Sequence, residues 1–183
     1  MNLVNQWNFA ILDFIQTHFR SSLGDVVMPF ITSLGNIGMI WILLGLLLVT
    51  RKRWRAAGLL LLSALLIESL FCNVILKNMF AVPRPFDIRT GIDLLIPKPI
   101  DYSFPSGHTG ASFAAVTALF LSKYKYWAVA LVLAVLISFS RLYLYVHYPT
   151  DVLCGIVLGV LSGWLAYQLY GIVKRRYEKR KQK

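Results

Sequence analysis

The sequence contains little cysteine and little acid. Two of its 183 residues are cysteines, Cys72 and Cys154, and both lie in apolar segments. Their positions give neither a disulfide framework nor the spacing of zinc ligands, so each is interpreted as buried apolar filling. Asp and Glu together number 8 against 19 Lys and Arg, which gives a net charge of +11. Such a charge would suit nucleic acid if it covered one surface.

The basic residues do not form such a surface. Most of them stand in three short clusters, at residues 51–55, 123–125 and 174–183, and each cluster adjoins an apolar run. This distribution is typical of the cytoplasmic loops of membrane proteins, where Lys and Arg are enriched. The sequence therefore predicts membrane lipids around the chain and no nucleic-acid partner.

The apolar residues make up 57% of the chain and are gathered into long runs. Since a bilayer requires about 20 residues of helix, we predict transmembrane spans at residues 26–50, 56–80, 108–122, 127–147 and 152–173. Pro29 and Gly35 break the first of these runs. The predicted fold is an all-α, polytopic membrane bundle of five to six transmembrane helices, in one domain over residues 1–183 with a basic tail at 174–183.

The first 20 residues differ from these spans. They lack a basic leader and carry Asp13, so a cleaved signal peptide is not expected. An amphipathic helix that lies in the membrane interface fits the spacing better. Its apolar side would be formed by Leu3, Trp7, Ala10, Ile11, Phe14, Ile15 and His18.

Alternation of the five spans gives a consistent topology. All three basic clusters then lie on the cytoplasmic side, with the C-terminus, and the loop around residues 86–104 lies outside. The last span carries Gly155, Gly159 and Gly163, four residues apart, which leaves one helix face nearly bare. Close packing within the monomer accounts for this face, and a homodimer interface is the alternative.

Five basic residues contradict the positive-inside bias, because the topology places them at the outer side: Lys77, Arg84, Arg89, Lys98 and Arg141. Snorkelling to the interface accounts for Arg89 and Lys98. It accounts poorly for Arg141, which stands within an apolar run and is costly there without a partner. Three cations at one membrane face, Lys77, Arg84 and Arg141, favour a phosphate-type anion.

Residues that can move protons belong to the same face. The stretch 105–108 reads Pro-Ser-Gly-His, and Pro105 is expected to open a helix whose first N–H groups attract an anion. His108 can exchange a proton near neutral pH. Asp151 follows His147 by four residues, so its carboxylate can fix one imidazole nitrogen and leave the other as nucleophile or base.

A metal-dependent hydrolase is one alternative to this interpretation. It would draw on Asp87, Asp93 and Asp101, but their irregular spacing forms no recognised metal site. We expect no metal ion and no other cofactor. A non-enzymatic lipid or anion transporter is a second alternative, although it would need polar residues spread through several spans, and here they gather at one face.

Three motifs occur in a fixed order: Lys-x6-Arg-Pro from Lys77, Pro-Ser-Gly-His at 105–108, and Ser-Arg-x5-His-x3-Asp from Ser140. Together they resemble the type 2 phosphatidic acid phosphatase superfamily of membrane lipid phosphatases, whose active site is shared with vanadium haloperoxidases. The resemblance implies that five residues bind the phosphoryl oxygens: Lys77, Arg84, Ser106, Gly107 and Arg141. It further implies that His147 forms a phosphohistidine, that Asp151 orients it, and that His108 protonates the leaving oxygen.

The substrate implied by the resemblance is a lipid phosphate. The short chain and the outward site favour undecaprenyl pyrophosphate and a place in the bacterial cytoplasmic membrane. Phosphatidylglycerophosphate, phosphatidate and a lipid A phosphate are the alternatives. Two features stay open: Glu68 is either a helix contact or part of a substrate channel, and the loop 86–104 is either a lid or a plain interfacial loop.

Overall fold

The computed structural model describes residues 3–181, and its described residues form helices and loops without a β-strand. The α-helices are α1 (Leu3–His18), α2 (Ser22–Leu34), α3 (Met39–Thr50), α4 (Arg55–Ser69), α5 (Lys77–Phe80), α6 (Pro85–Ile88), α7 (Gly107–Leu121), α8 (Trp127–Tyr143) and α9 (Pro149–Lys181). Short 3₁₀ turns occupy Asn36–Gly38 and Lys52–Trp54, and a π-helical stretch, Leu70–Leu76, joins α4 to α5.

Helix α7 is the centre of the bundle and packs against α4, α8 and α9. Its inward positions are mostly alanine, so neighbouring helices approach closely: Ala111, Ala114, Ala115 and Ala118 are buried. Larger side chains from α4 and α8, among them Leu61 and Ile137, fill the remaining space. Small residues on one helix against branched residues on the next give the dense packing that a membrane bundle relies on.

The glycines of α9 face α7. A Cβ atom on Gly159 would lie 2.4 Å from the carbonyl oxygen of Gly110, and one on Gly155 would lie 2.8 Å from that of Ser106. One on Gly163 would lie 2.6 Å from the Cβ of Thr117. The two backbones therefore touch, which supports packing within the monomer and leaves this face covered rather than open to a second copy.

The outer surface of the bundle is apolar. Large side chains on α3, α4, α8 and α9 point away from the core and are more than half exposed, including Leu43, Leu47, Leu66, Val132, Val157 and Leu161. In water such a surface would cost about 25 cal/mol for each Å² of apolar area. It is the surface expected of helices that face lipid.

By length and composition, fewer helices can span a membrane than the sequence predicts. The stretches Lys52–Ile88 and Pro149–Lys181 qualify, and α2 with the 3₁₀ turn and α3 makes a third span if the bent pair is counted as one. Helices α7 and α8 are apolar but have 15 and 17 residues, short of the usual 20. The predicted five to six spans are thus not confirmed as a count.

The predicted break in the first span lies at the 3₁₀ turn. Ile37 (φ 55°) and Gly38 (φ 68°) are consecutive left-handed residues, and they bend α3 by 45° from α2. Pro29 stays inside α2 and does not end it. A left-handed β-branched residue is uncommon, so the turn is held by its surroundings.

Several boundaries differ from the predicted ones. Helix α7 begins at Gly107 with Ser106 as its N-cap, so the expectation that Pro105 opens the helix is wrong. Helix α8 ends at Tyr143, four residues before the predicted end at 147, because Tyr145 takes a left-handed conformation (φ 58°). Helix α9 begins at Pro149, which is a favoured first position, and stays helical to Lys181 through the basic tail.

The first helix also differs in its orientation. Phe9, Leu12 and Ile15 are buried, and Asn8 bonds to Thr150 at the start of α9 (3.1 Å). On the predicted apolar side, Ile15 is buried, whereas Trp7, Ile11 and Phe14 are exposed; the side chain of Leu3 lies outside the described residues. Helix α1 therefore packs on the bundle with one face and presents much of its apolar side outward.

Candidate active site

The motif residues meet at one end of the bundle, around a cavity of about 490 Å³. The ends of α2, α5, α7 and α8 supply its walls together with the loops around residues 95–101 and 147. Its polar lining comprises Thr32, Ser33, Asn36, Lys77, Arg84, Asp101, His108, Arg141 and His147. The structure thus brings together Lys77, Arg84 and Arg141 with both motif histidines, although these residues lie far apart in the chain.

His147 lies in the loop between α8 and α9 and is fully buried. Its Nε2 accepts a hydrogen bond from Arg84 Nη1 (3.2 Å), and its Nδ1 faces the carboxylate of Asp151 (3.4 Å). An arginine can only donate, so Nε2 carries the lone pair and the ring proton sits on Nδ1, toward Asp151. Burial, with the positive charge of Arg84 next, lowers the pKa of His147 well below its ordinary value. The ring is therefore neutral, with its basic nitrogen toward the cavity cations.

Asp151 is held in place by the start of α9. As the third residue of that helix, it accepts the N–H of Tyr148 (2.9 Å), as in one half of a capping box. Ser103 also donates to the same carboxylate oxygen (2.5 Å). The carboxylate that faces His147 is thus fixed by two further donors, and its position follows from how the helix begins.

Arg84 has the densest set of contacts. Its Nη1 donates to the carbonyl oxygen of Val146 (2.6 Å), its Nε to that of Asp101 (2.8 Å), and its Nη2 to the Asp101 carboxylate (2.7 Å). Because α8 ends at Tyr143, the carbonyl oxygen of Val146 is free to accept this hydrogen bond. In a helix that continued past Val146, the same oxygen would accept a backbone N–H instead. Arg84 is therefore locked against His147 before any ligand arrives.

Asp101 lies between two of the cations. Its carboxylate forms ion pairs with Lys77 and with Arg84, and half of its side chain is exposed. Partial burial opposes ionisation, but the hydrogen bond from Lys77 and the charges of both cations outweigh it and lower the pKa of Asp101 to about 2. A carboxylate thus occupies a position between Lys77 and Arg84 that would suit a phosphoryl group.

Arg141 and His108 each form a hydrogen bond with a residue of the first span. Arg141 is buried and donates from Nη1 to the hydroxyl of Thr32 (2.7 Å), while its Nε has no hydrogen-bond partner among the described residues. His108 pairs through Nε2 with the side-chain oxygen of Asn36 (3.0 Å). A buried guanidinium with an unused donor is expensive, and it points to an anion as the missing partner.

Ser106 and Gly107 take different positions. Gly107 lines the cavity at the start of α7. Ser106 is fully buried behind it, with its hydroxyl paired to Thr109 (3.1 Å) and its N–H given to the carbonyl of Asp151 (3.1 Å). Ser106 therefore joins the two motif segments and does not line the cavity, unlike the six other residues of the predicted phosphate and histidine set.

A second cavity, of about 610 Å³, adjoins the first and shares Lys77, Asp101, Gly107 and His108 with it. It runs between α3, α4 and α7 and is lined by apolar side chains: Ile42, Leu62, Leu65, Leu66 and Ala111. Glu68 also lines it, buried, with one carboxyl oxygen unpaired among the described residues. We name this second cavity the apolar groove.

The loop after α6 covers the first cavity. Its contribution to the cavity lining is mostly apolar: Leu95, Ile96, Pro97 and Pro99. The loop is tied at its edges by Arg89 to Asp13 (2.5 Å) and by Lys98 to Asp87 (2.6 Å). These pairs engage Arg89 and Lys98, the two cations of the five that lie away from the cavity. Within residues 3–181 no cluster of three or more His, Cys, Asp or Glu is arranged to hold a metal ion.

Comparison with known proteins identifies the family to which these motif residues belong. Residues 56–175, well over half of the chain, match the family model of the PAP2 superfamily. The chain belongs to the PAP2 superfamily. It is therefore a metal-independent phosphoric-ester or diphosphate hydrolase, a membrane-embedded lipid phosphatase, and the family resemblance of its three motifs is confirmed.

Individual PAP2 relatives are similar over most of their length. The undecaprenyl-diphosphatase of Sulfolobus acidocaldarius is 38% identical over 78% of this chain and 69% of its own. Undecaprenyl-diphosphatase BcrC of Bacillus subtilis is 32% identical over 86% of this chain and 80% of its own. The crystal structure of a PAP2-type phosphatidylglycerolphosphate phosphatase from Bacillus subtilis superposes with a TM-score of 0.75 at 31% identity, covering 96% of this chain and 90% of that one.

Five cavity or support residues escaped the sequence analysis as site residues: Thr32, Ser33, Asn36, Asp101 and Ser103. Asp101 was considered only as a metal ligand, yet it stands four residues before Pro105, beside the second motif. The other four are common polar residues in a broken span or a loop. The available signal was the group of polar residues, Thr32, Ser33 and Asn36, within a predicted membrane span.

Proposed function

We propose that this PAP2 phosphatase hydrolyses undecaprenyl pyrophosphate at the outer face of the bacterial cytoplasmic membrane, through a phosphohistidine on His147. The observation that carries the proposal is the position of His147 Nε2. It faces the cavity beside Arg84, with the carboxylate of Asp151 on the opposite ring nitrogen. Lys77 and Arg141 line the same cavity.

The chemistry needs positioning and charge. Lys77, Arg84 and Arg141, with the N–H of Gly107, bind the oxygens of the terminal phosphoryl group. His147 Nε2 attacks phosphorus, the bond from phosphorus to the lipid-side oxygen breaks, and His108 gives that oxygen a proton. Water, deprotonated by His108, then attacks the phosphohistidine and releases inorganic phosphate. Fixed cations stabilise the charge that develops on the phosphoryl oxygens, as metal ions do in other phosphoryl-transfer sites.

The apolar groove supports a lipid as the substrate. It opens from the catalytic cavity at Lys77 and His108 and continues between α3 and α4 along leucine and isoleucine side chains. A chain that enters there keeps its hydrocarbon on the lipid side of the bundle while the phosphate reaches the cations. Pockets with an apolar lining and a few placed polar groups are typical of sites for such amphipathic ligands.

The similar sequences favour a polyprenyl diphosphate over a glycerophospholipid. Two relatives that share most of their length with this chain carry undecaprenyl-diphosphatase names. The structural likeness to a phosphatidylglycerolphosphate phosphatase keeps that lipid as the second candidate. In both cases the orientation follows from the basic clusters: residues 51–55, 123–125 and the tail face the cytoplasm, and the cavity faces outward.

Rapid quenching with labelled phosphate tests the mechanism. His147→Ala should form no labelled enzyme and turn over no substrate, because it lacks the attacking nitrogen. His108→Ala should lose about 10²–10⁴-fold on a lipid monophosphate, whose alkoxide leaving group needs a proton, and less on a lipid pyrophosphate. It should also accumulate labelled enzyme with the pyrophosphate. Label in His147→Ala, and none in His108→Ala, would reverse the two assignments.

A lipid panel tests the substrate. Purified enzyme is assayed against undecaprenyl pyrophosphate, phosphatidylglycerophosphate, phosphatidate and a lipid A phosphate at matched detergent ratios. We expect the highest kcat/KM on undecaprenyl pyrophosphate. A higher value on phosphatidylglycerophosphate would select the second candidate. Movement of an intact labelled lipid phosphate across proteoliposomes, without phosphate release, would instead indicate the transporter alternative.

A further inference from the structure

The end of α2 and the 3₁₀ turn after it contribute four residues to the lining of the catalytic cavity: Pro29, Thr32, Ser33 and Asn36. Thr32 lies in the last turn of α2 and Asn36 opens the 3₁₀ turn that follows, and both line the cavity. Gly35 lies between them, and a Cβ atom there would stand 2.8 Å from Cδ2 of His108. The segment lies outside residues 56–175, the part of the chain that the family model matches.

Asn36 determines which nitrogen of His108 holds the proton. Its side-chain oxygen lies 3.0 Å from Nε2 of the ring. Because an amide oxygen only accepts, the neutral ring carries its proton on Nε2, toward Asn36. The lone pair is then on Nδ1, and this nitrogen exchanges protons with the leaving oxygen and with water. When the ring is protonated, Asn36 keeps its bond and Nδ1–H becomes the donor.

Thr32 acts on the phosphate side of the same cavity. Its hydroxyl accepts a hydrogen bond from Nη1 of Arg141 (2.7 Å), and both side chains are buried. The bond leaves Nε of Arg141 without a partner among residues 3–181. Thr32 therefore fixes the direction in which this guanidinium presents its remaining donors.

A left-handed turn directly follows residues 32–36. Ile37 takes a left-handed conformation and is 94% exposed. Packing of its own side chain therefore does not offset the energetic cost of that conformation. Unfavourable backbone conformations persist where surrounding contacts determine them, and they are frequent at functional sites. Here the chain turns directly after Asn36, the last residue of the segment to contact the site.

We propose that residues 32–36 are a positioning element of the active site: Asn36 fixes the tautomer and orientation of His108, and Thr32 fixes Arg141. This rests on the proposed function, in which His108 is the proton donor and Arg141 binds phosphate. The two residues contribute to different steps of the reaction. Asn36 acts on proton transfer to the leaving oxygen, and Thr32 acts on phosphate affinity.

Asn36→Ala and Asn36→Asp test the first half. With alanine, kcat on a lipid monophosphate should fall about tenfold, the loss expected from one orienting hydrogen bond, with little change on a lipid pyrophosphate. With aspartate the acceptor is restored and its charge stabilises the protonated ring, so the pH–rate profile on the monophosphate should move to higher pH. The other charged groups of the cavity, Lys77, Arg84, Asp101 and Arg141, are the same in both variants.

Two controls accompany these variants. Asn78→Ala makes the same chemical change at an exposed asparagine whose amide donates to the carbonyl of Val74 in the preceding π-helical stretch, and it should leave the activity on both substrates unchanged. A double mutant tests the coupling: if Asn36 acts through His108, then Asn36→Ala should cause no further loss on the monophosphate in a His108→Ala background. Equal losses on both substrates, or a full additional loss in the double mutant, would overturn the proposal.

Thr32→Val tests the second half. Valine keeps the shape and removes the hydroxyl, so KM and the inhibition constant of vanadate should rise about tenfold, equally for monophosphate and pyrophosphate. Thr50→Val, at an exposed threonine bonded within α3, is its control. An unchanged vanadate constant would overturn this half.

Failure of the proposed function would look different from failure of this inference. If His108 is not the proton donor, then His108→Ala itself shows no preference between the two leaving groups. If only the positioning role is wrong, His108→Ala shows that preference and Asn36→Ala does not.

Discussion

Replacing Asp101 with asparagine should tighten the binding of phosphate-like anions. The Asp101 carboxylate pairs with Lys77 and with Arg84 in the ligand-free site. A phosphoryl group that binds both cations has to displace this carboxylate or bear its repulsion. Asparagine keeps the size of the side chain and removes the charge, so the competition disappears while the loop keeps its shape.

The magnitude follows from the strength of the existing contacts. Against the opposing effect of partial burial, Lys77 and Arg84 lower the pKa of Asp101 from 3.8 to about 2. That difference corresponds to about 2.5 kcal/mol of attraction. Because half of the side chain is exposed, solvent screening reduces the useful part to about 1 kcal/mol. We therefore expect about fivefold tighter binding.

Vanadate inhibition measures this directly. The inhibition constant of the Asp101→Asn enzyme is compared with those of the parent and of Asp93→Asn, which removes the same charge from an exposed position in the same loop. The constant should fall about fivefold in the first variant and stay unchanged in the second. A higher constant in Asp101→Asn would refute the reasoning, since it would show that the carboxylate orients the cations and does not compete with the anion.

Three further outcomes are expected. Turnover should persist in EDTA and be inhibited by vanadate; loss of activity in EDTA that magnesium restores would contradict a site of fixed cations. In a Cys154→Ser background, a cysteine at Ile92 should react with an impermeant thiol reagent on intact cells and one at Arg53 should not; the reverse pattern would invert the topology. Gly159→Ala should destabilise the protein by about 1–3 kcal/mol, since its Cβ atom would lie 2.4 Å from the Gly110 carbonyl oxygen, whereas Gly171→Ala, near the exposed end of α9, should melt like the parent.

The sequence predicted which charged residues and histidines gather at the cavity, but it did not predict the direction of every side chain. Motif spacing identified Lys77, Arg84, Arg141 and the two histidines because each chemistry requires a residue type that is rare within apolar runs. The structure brings these five together around one cavity. Spacing does not encode which way a side chain points, however, and Ser106 accordingly lies behind the cavity with its hydroxyl on Thr109.

The remaining differences arise from tertiary contacts. The apolar run through Val146 reads as a continuing helix, and α8 ends earlier because Tyr145 turns left-handed and the Val146 carbonyl bonds to Arg84. No local pattern encodes a contact with a residue 62 positions away. Asp101 and Asn36 were missed for the same reason, since only the folded chain places them against a cation and a histidine.

The backbone contact between α7 and α9 has a consequence for how this family diversifies. It fixes Gly107 and Asp151, one from each half of the candidate site, relative to each other without relying on any large side chain. The apolar side chains that line the groove on α3 and α4, and the loop residues 95–99 over the cavity, belong to other parts of the chain. Substitutions there alter the shape offered to a lipid tail and leave the reacting atoms where they are. One catalytic unit can in this way serve chains adapted to different lipids, in keeping with the different substrates in the names of its relatives.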